Sequence, residues 1–163
     1  MNAKTLYGLI AIAIIAVVVA IALQSRREPR RETEAQTQPV LPALRDHIND
    51  IKGITLTGAE GKLIVTLTRS DDGWGIAERG GYPADIGKIR QWLVKLDRST
   101  LLEQKTANAQ RYADIGVDDV KNKDAKGVRV DIAGLPTPTT VIIGTYSAPS
   151  AGTFVRRGDE AQS

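Results

Sequence analysis

The sequence predicts an α+β fold: one domain with a mainly antiparallel sheet and two helices, carried behind an N-terminal transmembrane helix. Three observations predict it. Residues 6–23 form an uncharged apolar run, several later segments alternate apolar and polar residues, and one stretch repeats its apolar residues at helical spacing. The 163 residues, 42% apolar and 25% charged, suit one ordinary domain with attachments and exclude a disordered or collagen-like chain.

After a short tail (residues 1–5), the run LYGLIAIAIIAVVVAIAL extends roughly 27 Å as a helix, close to the hydrocarbon thickness of a bilayer. In lipid the helix is enforced by the cost of unpaired amides, so the many Ile and Val residues are no obstacle. A cleaved signal peptide is the competing reading, because Lys4 gives a positive start and Ala20-Ile21-Ala22 offers a small-residue cleavage site. The length of the run favours retention as an anchor. Arg26, Arg27, Arg30 and Arg31 follow it, and by the positive-inside rule they place the rest of the chain in the cytoplasm, against an envelope location.

Residues 24–40, QSRREPRRETEAQTQPV, are nearly devoid of apolar side chains and read as a charged flexible tether. The folded domain is expected over residues 41–163. Of 22 basic and 19 acidic residues, five and three precede Leu41, leaving a net charge of +1 beyond it. A balanced charge and few aromatics give nucleic-acid binding no support.

Ile54 and Leu56 alternate with Thr55 and Thr57, and Leu63, Val65 and Leu67 alternate with Ile64, Thr66 and Thr68, around the turn Gly58-Ala59-Glu60-Gly61. That pattern is a hairpin. Ser70-Asp71-Asp72-Gly73 turns the chain again toward a short strand with Trp74 and Ile76. Gly80-Gly81-Tyr82-Pro83 breaks it, Pro83 and Asp85 suit a helix start, and Ile86, Ile89, Leu93 and Leu96 recur at helical spacing, with Trp92 widening the stripe. Leu101 and Leu102 are expected to resume a strand. Asn108 caps a short helix holding Tyr112 and Ile115, which Gly116 ends, and residues 117–126 read as a polar connector. Val128, Val130 and Ile132, then residues 141–144, then Phe154 and Val155 supply three last strands, with 134–138 a turn. The predicted order is β-β-β-α-β-α-β-β-β, with both helices on one face.

No motif declares a reaction. With no Cys and one His, thiolate metal sites, disulfides and cysteine nucleophiles lack their atoms. Asp46, His47 and Asp50 lie close enough in sequence to suggest a metal or base cluster, but one imidazole and two flexible carboxylates fall short of a zinc set, so they read as polar surface. Asp71-Asp72 and Asp118-Asp119 fit turns rather than a calcium loop. Gly58-Ala59-Glu60-Gly61-Lys62 lacks the first glycine and the final hydroxyl of a phosphate-binding loop, and Gly73-Trp74-Gly75 precedes no helix as a dinucleotide fingerprint requires. There is no Gly-x-Ser-x-Gly elbow for a nucleophilic serine. Arg157-Gly158-Asp159, an adhesion tripeptide, reads as turn chemistry, and Trp74, Tyr82 and Trp92 as core rather than partner anchors. Catalytic, cofactor-binding and metal residues are therefore assigned to none.

Asp72-Gly73-Trp74, the run Gly80 to Asp85, residues 103–108 (EQKTAN), Arg111-Tyr112, Ile115-Gly116-Val117 and the run Gly152 to Arg157 together resemble the bacterial domain of unknown function family 4340. The resemblance covers residues 51–163. It implies anchoring by one N-terminal helix in the bacterial inner membrane, a periplasmic domain, and association with ABC-type export systems of the gliding-motility kind. It implies no catalytic residues. Family chains usually continue past the segment matching residues 158–163 into another apolar strand, so the resemblance implies either a shortened member or a final edge strand left unpaired, which a partner could complete by strand addition.

The expected function is thus a non-enzymatic, membrane-anchored interaction domain of the envelope, with the bilayer as partner through residues 6–23, transport-complex subunits as further partners, and no cofactor. The alternative is a signal-peptide-cleaved periplasmic solute-binding module or small hydrolase, which a pocket enclosing convergent polar groups would favour.

Overall fold

The computed structural model describes residues 38–158. The apolar run at residues 6–23, most of the tether and the last five residues lie outside them. No helix among the described residues is long and apolar enough to cross a membrane.

Seven strands, β1 (Gly53–Thr57), β2 (Leu63–Ser70), β3 (Gly73–Ile76), β4 (Tyr82–Pro83), β5 (Val128–Ala133), β6 (Thr139–Ser147) and β7 (Gly152–Arg157), form one antiparallel sheet in the order β4-β3-β2-β1-β5-β6-β7. Among the described residues two α-helices, α1 (Ile86–Asp97) and the single turn α2 (Tyr112–Ile115), accompany the sheet and make the fold α+β. The β1–β2 hairpin forms at the expected turn. Glu60 and Gly61 both adopt left-handed backbone there, φ 59° and 66°, as a tight antiparallel turn requires.

Register fixes two unlike faces. Ile54 lies opposite Leu67 and Ile132, and Val130 opposite Leu56 and Val141, so these side chains share one face. Helix α1 covers that face with Ile89, Leu93 and Leu96, joined by Leu44 and Ile51 from the lead-in to β1. Its start is set by Asp85, whose carboxylate accepts from the Lys88 N–H at 3.0 Å, a cap worth about 1 kcal/mol. Ile86, expected in the buried stripe, is 45% exposed.

The other face carries Thr55, Thr66, Thr68, Arg129, Asp131 and Thr140, with apolar cover only toward β7. There Tyr112, Ile115 and Val117 pack on Ile142 and Phe154. Adjacent Val141 and Ile142 point to opposite faces, so α1 and α2 flank the sheet rather than share one side, contrary to the sequence expectation. Close approach explains the glycine at 144: a Cβ there would lie 2.5 Å from the Ile115 carbonyl and 2.7 Å from Val117. Gly116 ends α2 in left-handed backbone at φ 71°, as expected.

Three further expectations are corrected. Leu101 and Leu102 form no strand, and β4 was not foreseen, so the order is β-β-β-β-α-α-β-β-β. The connector after Gly116 is not simply polar, since Val117 and Val120 are fully buried. The folded part also begins before Leu41. Pro39 bridges Thr100, the Val40 N–H donates to the Ser99 carbonyl, the Leu101 N–H donates to the Gln38 carbonyl, and Val40 is buried.

Candidate interaction surface

A chain that places α1 on one face and α2 on the other must pass around an edge of the sheet. Residues 99–108 make that passage at β7. Thr100 is tied to Pro39, which accepts a hydrogen bond from the Arg157 guanidinium at 3.1 Å, and the Leu102 side chain approaches Gly152 so closely that a Cβ there would lie 3.0 Å from it. A cavity of about 360 Å³ remains between the crossing segment and the strand, walled by Leu101 and Leu102 on one side and residues 152–155 on the other, with Val40.

The ladder decides what β7 presents to that cavity. Gly158 donates to the Thr140 carbonyl at 2.8 Å, and Arg156 pairs with Ile142, so even-numbered residues of β7 bond to β6. The N–H and C=O of Thr153 and Val155 therefore point outward. Among the described residues no hydrogen bond occupies them. Several of the polar side chains nearby are already matched: Ser150 donates to Ser147 at 2.8 Å, and Glu103 pairs with Lys105.

The opposite edge is closed differently. β4 is two residues long and includes Pro83, which has no N–H to offer. Beyond the end of β3, the Glu78 carboxylate accepts from the Thr66 N–H at 3.0 Å; hydrogen bonding from the Thr66 side chain, and then from this N–H, holds the carboxyl below its ordinary pKa.

A second concavity, about 670 Å³ and open, lies at the end of the central strands beside His47, Asp50, Lys52, Arg69 and Asp71. His47 Nδ1 and Asp50 Oδ2 are 2.8 Å apart on the surface. The Arg69 guanidinium donates to the Asn49 carbonyl at 2.6 Å. Asp46 does not line the cleft, and no group of three metal-ligating side chains occurs among the described residues. A smaller apolar trough of about 230 Å³ separates α1 from β1 and β2, lined by Leu56, Val65, Leu67, Lys88, Ile89 and Trp92.

The remaining sequence candidates have structural duties. The amides of Glu60 and Gly61, which a phosphate-binding tip needs free, donate to the carbonyls of Asn122 at 3.2 Å and Val120 at 3.0 Å. Asp119 accepts from the Lys121 N–H at 2.9 Å and Asp118 from the Asn122 side chain at 3.1 Å, as turn residues do; Asp71 and Asp72 form the β2–β3 turn. Trp74 and Trp92 pack against the core as expected, whereas Tyr82, also expected there, is 64% exposed because it lies on the two-residue edge strand β4. Arg157 donates to the Val40 carbonyl at 2.7 Å and so fastens the lead-in to the last strand.

Sequence reasoning missed the Arg129–Asp131–Thr140 cluster on the polar face. Arg129 Nε and Nη2 grip Asp131 at 2.8–3.1 Å and Thr140 Oγ1 donates to the same carboxylate at 2.6 Å. Burial raises the Asp131 pKa, but the hydrogen bonds from Arg129 and Thr140 outweigh it and leave the carboxyl below its usual range. The Arg129 pKa is raised, chiefly by its hydrogen bond to Asp131. Alternation of charge at positions 129 and 131 on the polar side of a strand was the available signal.

Compared with family models, curated proteins and solved structures, the chain matches none of them.

Proposed function

We propose that this protein is a single-pass, membrane-anchored interaction domain of a bacterial inner membrane, without a reaction of its own, whose folded unit faces the periplasm as an accessory to an ABC-type export system of the gliding-motility kind. The uncharged run at residues 6–23 supports the anchor, and the ordered segments that resemble the domain family of unknown function support the compartment and the system. The observation that carries the interaction role is the cavity beside β7, where a strand keeps outward amides in an apolar setting.

Alkaline carbonate extraction of native vesicles tests the anchor: the full chain stays in the pellet. Protease protection in spheroplasts tests the side, since a periplasmic domain is digested before lysis. Affinity capture from solubilised membranes tests the role, with co-purification of transporter subunits expected and their absence counting against it. The open cleft beside the His47–Asp50 pair favours the alternative of a released solute-binding module or small hydrolase. N-terminal sequencing separates the two, because release after Ala22 leaves a mature chain beginning at Leu23 rather than at Met1.

A further inference from the structure

We infer that the cavity between β7 and the crossing segment is a binding site for a single extended, uncharged apolar peptide segment, which adds one strand to the sheet at Thr153 and Val155. The inference rests on the interaction-domain reading and names the chemistry of the partner.

Three features define the occupant. First, Thr153 and Val155 present outward N–H and C=O groups two residues apart, the repeat of an extended chain, and nothing among the described residues bonds to them. Second, the cavity is walled on its far side by Leu101 and Leu102. An occupant must therefore have two free edges, which a lone peptide has and the β7 edge of a second copy, already paired with its own β6, does not. Third, the charged pair at the site, Glu103 with Lys105, is mutually neutralised, and the other lining side chains are uncharged, with Val40, Leu101, Leu102, Phe154 and Val155 beside the hydroxyls of Ser99, Thr100 and Thr153, so an uncharged, largely apolar segment fits and a charged side chain would enter without a counter-charge. The β7 wall is four residues long, room for roughly 10–13 Å of strand, so three or four residues of ligand are gripped.

The test uses the full chain in detergent micelles and two blocked heptapeptides, one alternating valine with threonine and the other leucine with serine. Amide exchange is followed by NMR. Binding slows exchange at Thr153 and Val155 by about tenfold when peptide reaches about ten times its Kd. Val155→Pro removes one outward N–H without touching the bonds to β6, and Leu102→Arg, at a position 46% exposed, fills the far wall. Each variant is expected to abolish protection while the β1–β5 amides stay slow, and Leu102→Arg carries the test should Val155→Pro fail to fold. Failure of both peptides to protect Thr153 and Val155 at about 1 mM overturns the inference, as does protection that rises with protein concentration alone, which marks pairing between copies. Membrane retention is measured by carbonate extraction of the vesicles before they are solubilised, so an empty site with an anchored chain refutes the peptide and not the anchor.

Discussion

The two faces of the sheet are stabilised by different means. Under α1, the core is continuous from Leu44 and Ile51 through Ile54, Val130, Ile132 and Val141 to Ile89, Leu93 and Leu96, all buried. Under α2, only Tyr112, Val117 and Ile142 are buried, and the rest of that face relies on threonines and the Arg129–Asp131 pair. A helix of twelve residues has three apolar turns to offer a sheet, whereas a four-residue turn has one. The lesser face is consequently held by close backbone approach and by single contacts such as Arg156 over the Tyr112 ring at 5.0 Å, with its Nε donating to the Val117 carbonyl at 2.8 Å.

Substitutions that separate the faces test this contrast. The largest effect is expected from Ile54→Ala, which empties a site 1% exposed at the centre of the main core and costs about 3 kcal/mol in denaturant unfolding, with the whole sheet lost together. Gly144→Ala forces a Cβ against Ile115 and Val117, and is expected to cost about 2 kcal/mol while raising amide exchange in α2 before α1. Equal loss of protection in both helices would erase the distinction between the faces.

Acid titration probes the polar face next. Because the Asp131 pKa is lowered in the folded protein, its contribution is complete above the ordinary carboxylate range and disappears as pH falls through the lowered value. Asp131→Asn should flatten that acid limb, and the change is small because the pair is part-exposed. Smallest of all is Ile64→Thr, at a site 55% exposed on the threonine side, expected to shift stability by no more than about 0.5 kcal/mol.

Much of this architecture was legible because its determinants are local. Turn chemistry at Glu60-Gly61, the Asp85 cap, the helical stripe through Ile89, Leu93 and Leu96, and the stop at Gly116 each depend on a few neighbouring residues. What escaped is non-local. Leu101 and Leu102 carry a strand-like pair of apolar residues, yet they serve the passage between faces, a role set by where α1 and α2 sit. Val117 and Val120 are outnumbered by polar neighbours in sequence but are buried in the fold. β4 is invisible to pattern because it has only two residues, one a proline. The candidate site was beyond reach for the same reason: Val40, Leu101 and Val155 meet only after the sheet is assembled.

Arg157 joins the beginning of the folded unit to its end. Its guanidinium holds the carbonyls of Pro39 and Val40, and Pro39 in turn is bridged to Thr100. A mechanical load entering at Gln38 meets this clasp before it reaches the central strands, so tension is divided between the edge strand β7 and the segment that follows α1.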